Sequence, residues 1–159
     1  MRITARLLAL GIVCIGIAAA AQVDPAAVRA ELERVEDLRV LHRFAIQDLH
    51  DAKALGLYLA GWGGPDQSAD VEAMLREAED LYGLLRAVEN GSIALQADID
   101  VNGPASPSPG QFELLQRARG EVAAAVNDFY TRSKALKQRL SGLVTTTASA
   151  KTRWDVASK

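Results

Sequence analysis

The chain is poor in the residues from which reactive sites are usually assembled. Its 159 residues contain one cysteine, two histidines and only eight aromatic side chains. So few rings make no stacking platform for sugars or single-stranded nucleic acid, and no nucleic-acid partner is expected. There is no Gly-x-Ser-x-Gly elbow and no Cys-x-x-Cys-His. No glycine-rich loop stands between a strand and a helix, so neither nucleophilic catalysis nor a nucleotide cradle is indicated. Paired carboxylates such as Glu36-Asp37 and Glu79-Asp80 fall on amphipathic stretches, where such pairs are ordinarily solvated surface. No cofactor is implied, and the reading is non-enzymatic. Strict apolar–polar alternation flanked by hairpin turns is also missing, which argues against a sheet; "IALQADIDV" could pass for a strand, but a lone strand has no partner.

What is present begins at the N-terminus. Arg2 and Arg6 precede an apolar run over residues 7–17, and Ala19-Ala20-Ala21 follows. This is the layout of an export signal cleaved before Gln22, and the run is short for a membrane span, which needs about 20 apolar residues. Residues 1–21 are therefore expected as a leader and residues 22–159 as a periplasmic or secreted protein. Removal of the leader takes away Cys14, leaving an oxidising compartment entered without disulfides. It also removes two arginines and no acid, so the formal charge moves from −2 to −4. An uncleaved leader acting as a membrane anchor is the alternative.

Three stretches carry helical periodicity. The first opens on Asp24 as cap and Pro25 in the first turn. It repeats Val28, Leu32, Val35, Leu38, Leu41, Ala45, Leu49, Ala52 and Leu59, then stops at the breaker "GWGGP". The second opens at Ser68 and repeats Val71, Leu75, Ala78, Leu81, Leu85 and Val88. Asn90-Gly91 then threatens a kink or an end, and Asn90-Gly91-Ser92 matches a glycosylation acceptor. The third repeats Leu115, Ala118, Val122, Ala125, Phe129, Ser133, Leu136, Leu140 and Leu143, with an extra step of four at Ser133 that implies a shift of supercoil phase. Helices over about 25–60, 68–97 and 109–148, joined by short links, predict an all-α, elongated antiparallel three-helix bundle or coiled coil, running up, down and up. Residues 22–150 form that body and residues 151–159 a C-terminal tail.

Between the second and third helices, "DIDVNGPASPSPG" begins like a calcium loop. Asp98, Asp100 and Asn102 are weak metal-ligand candidates. The twelfth loop position, where a bidentate glutamate belongs, is Pro109. Ser108-Pro109-Gly110-Gln111 instead fits a serine cap, a first-turn proline and a reciprocal glutamine, so the stretch is expected to turn the chain. His42 falls on the apolar face among Leu38, Leu41, Ala45 and Leu49. It lies eight residues from His50, about 12 Å along a helix. The two cannot share one metal ion, and a satisfied core histidine is the simpler reading. A small-ligand or metal-binding periplasmic sensor using His42 or the Asp98 loop is kept as the alternative function.

Charge divides the chain. Residues 131–159 hold seven basic side chains and one acid, whereas residues 22–130 hold nine basic and nineteen acidic ones. Up-down-up order sets the basic end beside the acidic start of the second helix, so the split first selects topology. Secondarily it makes Arg132, Lys134, Lys137 and Arg139 candidate interface residues, with membrane contact through the basic end or an uncleaved leader as a further expectation. Trp62, in "AGWGGP", either caps the end of the core or stands exposed as an anchor; the cap is the simpler account. An export leader followed by long amphipathic helices resembles, in architecture alone, minor components of bacterial secretion or conjugation machines. The expectation is an exported interaction or structural protein of the cell envelope that works through helix surfaces, with a protein partner or a second copy of itself.

Overall fold

The computed structural model describes residues 22–64 and 66–157, with the side chains from residue 152 onward left aside; the expected leader over residues 1–21 lies outside them. Three helices follow one another: α1, Pro25–Ala60; α2, Ser68–Asn102; and α3, Pro109–Ala157. They pack side by side in up-down-up order as an all-α three-helix bundle, with α1 against both neighbours and α2 touching α3 least.

The helix starts follow from local chemistry. Asp24 accepts the Ala26 N–H at 2.9 Å, ahead of Pro25. Ser108 and Gln111 form the reciprocal box, Gln111 N–H donating to Ser108 Oγ at 3.2 Å and Ser108 N–H to Gln111 Oε1 at 2.9 Å. α2 begins at Ser68, but its start is held from outside, where Asp66 Oδ1 accepts the Ser68 N–H at 2.8 Å. At the α1–α2 turn a Cβ on Gly64 would lie 2.9 Å from the Leu59 carbonyl oxygen, so only glycine fits.

α2 does not end at Asn90-Gly91 but runs on as one helix to Asn102. Gly91 has a packing reason instead, because a Cβ there would meet Leu115 Cδ1 at 3.0 Å. Ser92 of the Asn90-Gly91-Ser92 triplet is fully buried and donates to the Val88 carbonyl at 3.1 Å, while Asn90 is exposed on the helix. α3 continues as helix through Ala157, into the residues expected as tail.

The buried seam of α1 is a strict alternation of three- and four-residue steps: Val28, Glu31, Val35, Leu38, His42, Ala45, Leu49, Ala52, Gly56 and Leu59. That is the heptad of a coiled coil. In α3 the buried set is Val122, Val126, Phe129, Ser133, Leu136 and Leu140. Extended back through Arg119 and Leu115, it keeps the same alternation, so the expected phase shift does not occur. Ala118 and Ala125 lie beside the seam, while Arg119 and Val126 occupy it, because the larger Val126 fills the core and Arg119 meets a buried acid.

That acid is Glu31, fully buried and held by Arg119, Arg34 and, at 3.5 Å, Gln116. The polar seam residues cut the core into three apolar segments. Val23, Val28 and Ile99 form the first; Val35, Leu38, Leu85, Val88, Val122 and Val126 the second; and a long third segment runs from Ala45 to Leu140 around Leu49, Leu81 and Phe129. Glu31 stands at the first break and His42 at the second.

Candidate interaction surface

α3 has 49 residues against 36 in α1 and 35 in α2. Its last fully buried residue is Leu140, and Val144 is the last to pack against the long core segment. Thirteen further residues carry α3 about 20 Å past that point at 1.5 Å each. Leu143, at the next seam position after Leu140, is 40% exposed. Thr145, Thr146 and Thr147 each donate their hydroxyl to the carbonyl four residues back, at 2.9–3.0 Å. Those hydroxyls are thereby engaged by the helix's own backbone.

The turn between α1 and α2 sits beside this projecting end. Trp62 is 41% exposed, its ring 5.5 Å from that of Tyr58, and Lys151 Nζ lies 4.0 Å from the Trp62 ring centroid. Trp62 is therefore outside the core, and the cap reading is replaced by a half-exposed ring under a lysine, a cation–π contact that ties the turn to α3. Leu57 and Tyr58 are exposed on the same end of α1. The expected helix ended near residue 148, and the further turns to Ala157 were missed because "SAKTR" carries little hydrophobic signal.

The basic candidates are dispersed by the fold. Arg132 grips Glu77 of α2 with two guanidinium nitrogens and Asp128 of its own helix at 2.8 Å; the bonds to Glu77 foremost raise its pKa. This is the expected pairing with the start of α2. Lys137 departs from it, reaching α1 instead, 2.8 Å from Asp48 and 2.6 Å from Asp51. These bonds raise the Lys137 pKa well above the usual lysine value and hold the Asp51 carboxyl below the usual carboxylate range. Arg139 donates to Gln67 at 2.7 Å, and Lys134 lies 5.9 Å from the ring of Tyr130.

The remaining candidates stay apart. Asp98 accepts from Asn102 at 2.7 Å and from the Ser106 hydroxyl at 2.9 Å, while Asp100 accepts from Gln96 at 2.7 Å, so the loop's polar groups close on one another. His42 is buried between the rings of Tyr82 and Phe129, centroids 6.1 and 6.2 Å away, and its Nε2–H donates to the Ala78 carbonyl at 2.8 Å. It floors an open groove of about 590 Å³ between α1 and α2, whose rim includes Arg43, His50, Arg76 and Glu79. Among the described residues no three His, Cys, Asp or Glu side chains cluster as a metal site, and no helix is long and apolar enough to cross a membrane. Comparison with family models, curated proteins and solved structures gave no match, so geometry alone carries the functional reading.

Proposed function

We propose that this is an exported, non-enzymatic helical interaction or structural protein of the cell envelope, acting through helix surfaces as a component of a secretion- or conjugation-type assembly. The observation that carries this reading is the stretch of α3 that continues past Val144, the last residue packed against the core, to Ala157. Sequences rich in threonine have modest helix propensity, and helices of about a dozen residues are marginal alone in water. A projecting helix of that composition, flanked by exposed Leu57, Tyr58, Trp62 and Leu143, is a surface suited to another helix. The polar groups singled out as ligands are engaged within the fold, which favours a scaffold over the sensor alternative.

Affinity capture from envelope extract tests the reading, comparing residues 22–159 with a chain ending at Gly142. Capture of a defined envelope protein or of the chain itself, lost on shortening, supports it. Equal behaviour of the two chains, with no partner held by either, contradicts it.

A further inference from the structure

We infer that the groove floored by His42 takes a free α-amino acid of the tryptophan type, with an aromatic ring that bears a hydrogen-bond donor. The site shares no residue with the end of α3, so it stands or falls apart from the reading above.

The groove is held open by the way α1 and α2 are joined. Two ion pairs tie the helices on either side of it, Arg39 to Glu89 at 2.6 Å and Lys53 to Glu72 at 2.7 Å. Arg39 and Lys53 are separated by about 21 Å of helix. Between these clamps the charged side chains do not bridge the gap. Arg43 turns to Glu36 of its own helix at 3.1 Å, and Arg76 and Glu79 of α2 make no ion pair among the described residues. The resulting space of about 590 Å³ is of the size that holds a small organic molecule.

The walls suit a flat ring. Ile46 and Leu75 are half-buried and apolar, and the ring of Tyr82 stacks on His42 with an interplanar angle of 21°. His42 is 3% exposed, and a carbonyl can only accept, so the bond to Ala78 places the proton on Nε2. In the neutral ring Nδ1 is then an acceptor, and it has no hydrogen-bond partner in the fold. Gln96 Oε1 is the only sealed side-chain polar atom left unpaired among the described residues. The His42 Nδ1 is therefore not sealed, and the groove is the opening that His42 lines. An acceptor so placed is satisfied by a donor brought from outside, such as an indole N–H.

Charge selects the rest of the ligand. Arg76 and Glu79 are neighbours one turn apart on α2, an unpaired cation and an unpaired anion about 5–6 Å apart at their Cβ atoms. That spacing matches the adjacent carboxylate and ammonium of an α-amino acid. His50 and Arg76 each lie about one turn inside the Lys53–Glu72 clamp, so the carboxylate belongs at that end, and Glu79 receives the ammonium one turn further in. A simple anion would leave Glu79 opposed to it, and a simple cation would meet Arg76, so the pair favours a ligand carrying both charges.

Calorimetric titration of residues 22–159 with L-tryptophan is expected to give one saturable site with a dissociation constant below about 1 mM. Tryptamine, indole-3-propionate and naphthylalanine lack in turn the carboxylate, the ammonium and the ring N–H, and each should bind about tenfold more weakly. Arg76→Gln should weaken tryptophan to the level of tryptamine without weakening tryptamine itself. Glu79→Gln should bring tryptophan to the level of indole-3-propionate without weakening that acid. Both side chains are exposed, so the dichroism of the variants should match the parent. No saturable heat with tryptophan, analogues that bind as tightly as tryptophan, or variants that bind it like the parent overturns the site. Each of these outcomes leaves partner capture by the end of α3 untouched.

Discussion

Glu31 occupies a seam position where leucine or isoleucine would be the ordinary choice, and Arg119 faces it from α3. Replacing a buried ion pair by apolar residues is often neutral or stabilising, whereas removing one partner leaves a stranded charge. The Glu31–Arg119 contact is therefore better understood as fixing which turn of α3 meets which turn of α1 than as a source of stability. Arg119→Ala, which leaves the buried Glu31 carboxylate with the exposed Arg34 as its only cation, is expected to lower unfolding stability by about 3 kcal/mol. The double variant Glu31→Leu with Arg119→Leu should stay within about 1 kcal/mol of the parent or exceed it, losing uniqueness of register instead. Urea unfolding measures both, and equal destabilisation by the single and double variants would refute the register role. His42 marks the second break in the core in the same way, with one nitrogen bound to Ala78 and its ring between two aromatics.

At the scale of elements, each helix start has its own device, and the best formed is the Ser108–Gln111 box. Ser108→Ala should cost about 1 kcal/mol, the usual worth of a side-chain cap, read as a shift in the urea midpoint with unchanged slope. This cap and the α1 start were legible in the sequence because proline and a short polar side chain stand in fixed order there. The stripes of α1 and α2 were legible too, since leucine and valine dominate them. Legibility failed where the seam turns polar. Arg119 looks like surface in a hydrophobic count, so the apparent period slipped to Ala118 and Ala125 and produced a phase shift that the fold lacks. It failed again past residue 148, where the helix continues to Ala157 without an apolar stripe to announce it, and at Trp62, whose position in the turn alone could not decide between cap and exposed ring.

For the whole molecule, the split into an acidic body and a basic end is only partly consumed inside the bundle. Arg132 meets Glu77 as topology requires, and Lys137 draws Asp48 and Asp51 of α1 toward the same end. The Lys137 ammonium lowers the Asp51 pKa, Lys53 lowers that of Glu72, and the Ser68 N–H lowers that of Asp66. Carboxyls that ionise more readily folded than unfolded favour the fold above the carboxylate range, and that advantage is lost as pH falls through their folded values. The melting temperature should thus be nearly level from pH 8 to 5 and decline below about pH 4. A maximum near pH 3 would contradict these assignments.

Past Leu140, α3 meets the rest of the bundle through Val144 and through Lys151 on the Trp62 ring, and the exposed Leu143 beside them marks the surface proposed above for a partner. Photo-crosslinking in the living cell, with a photoreactive residue placed at Leu143 or at Ala94, tests this most directly. The account predicts a discrete adduct from position 143, of twice the chain mass if the partner is a second copy, and none from position 94. Adducts from position 94 alone, or none from either, would contradict it.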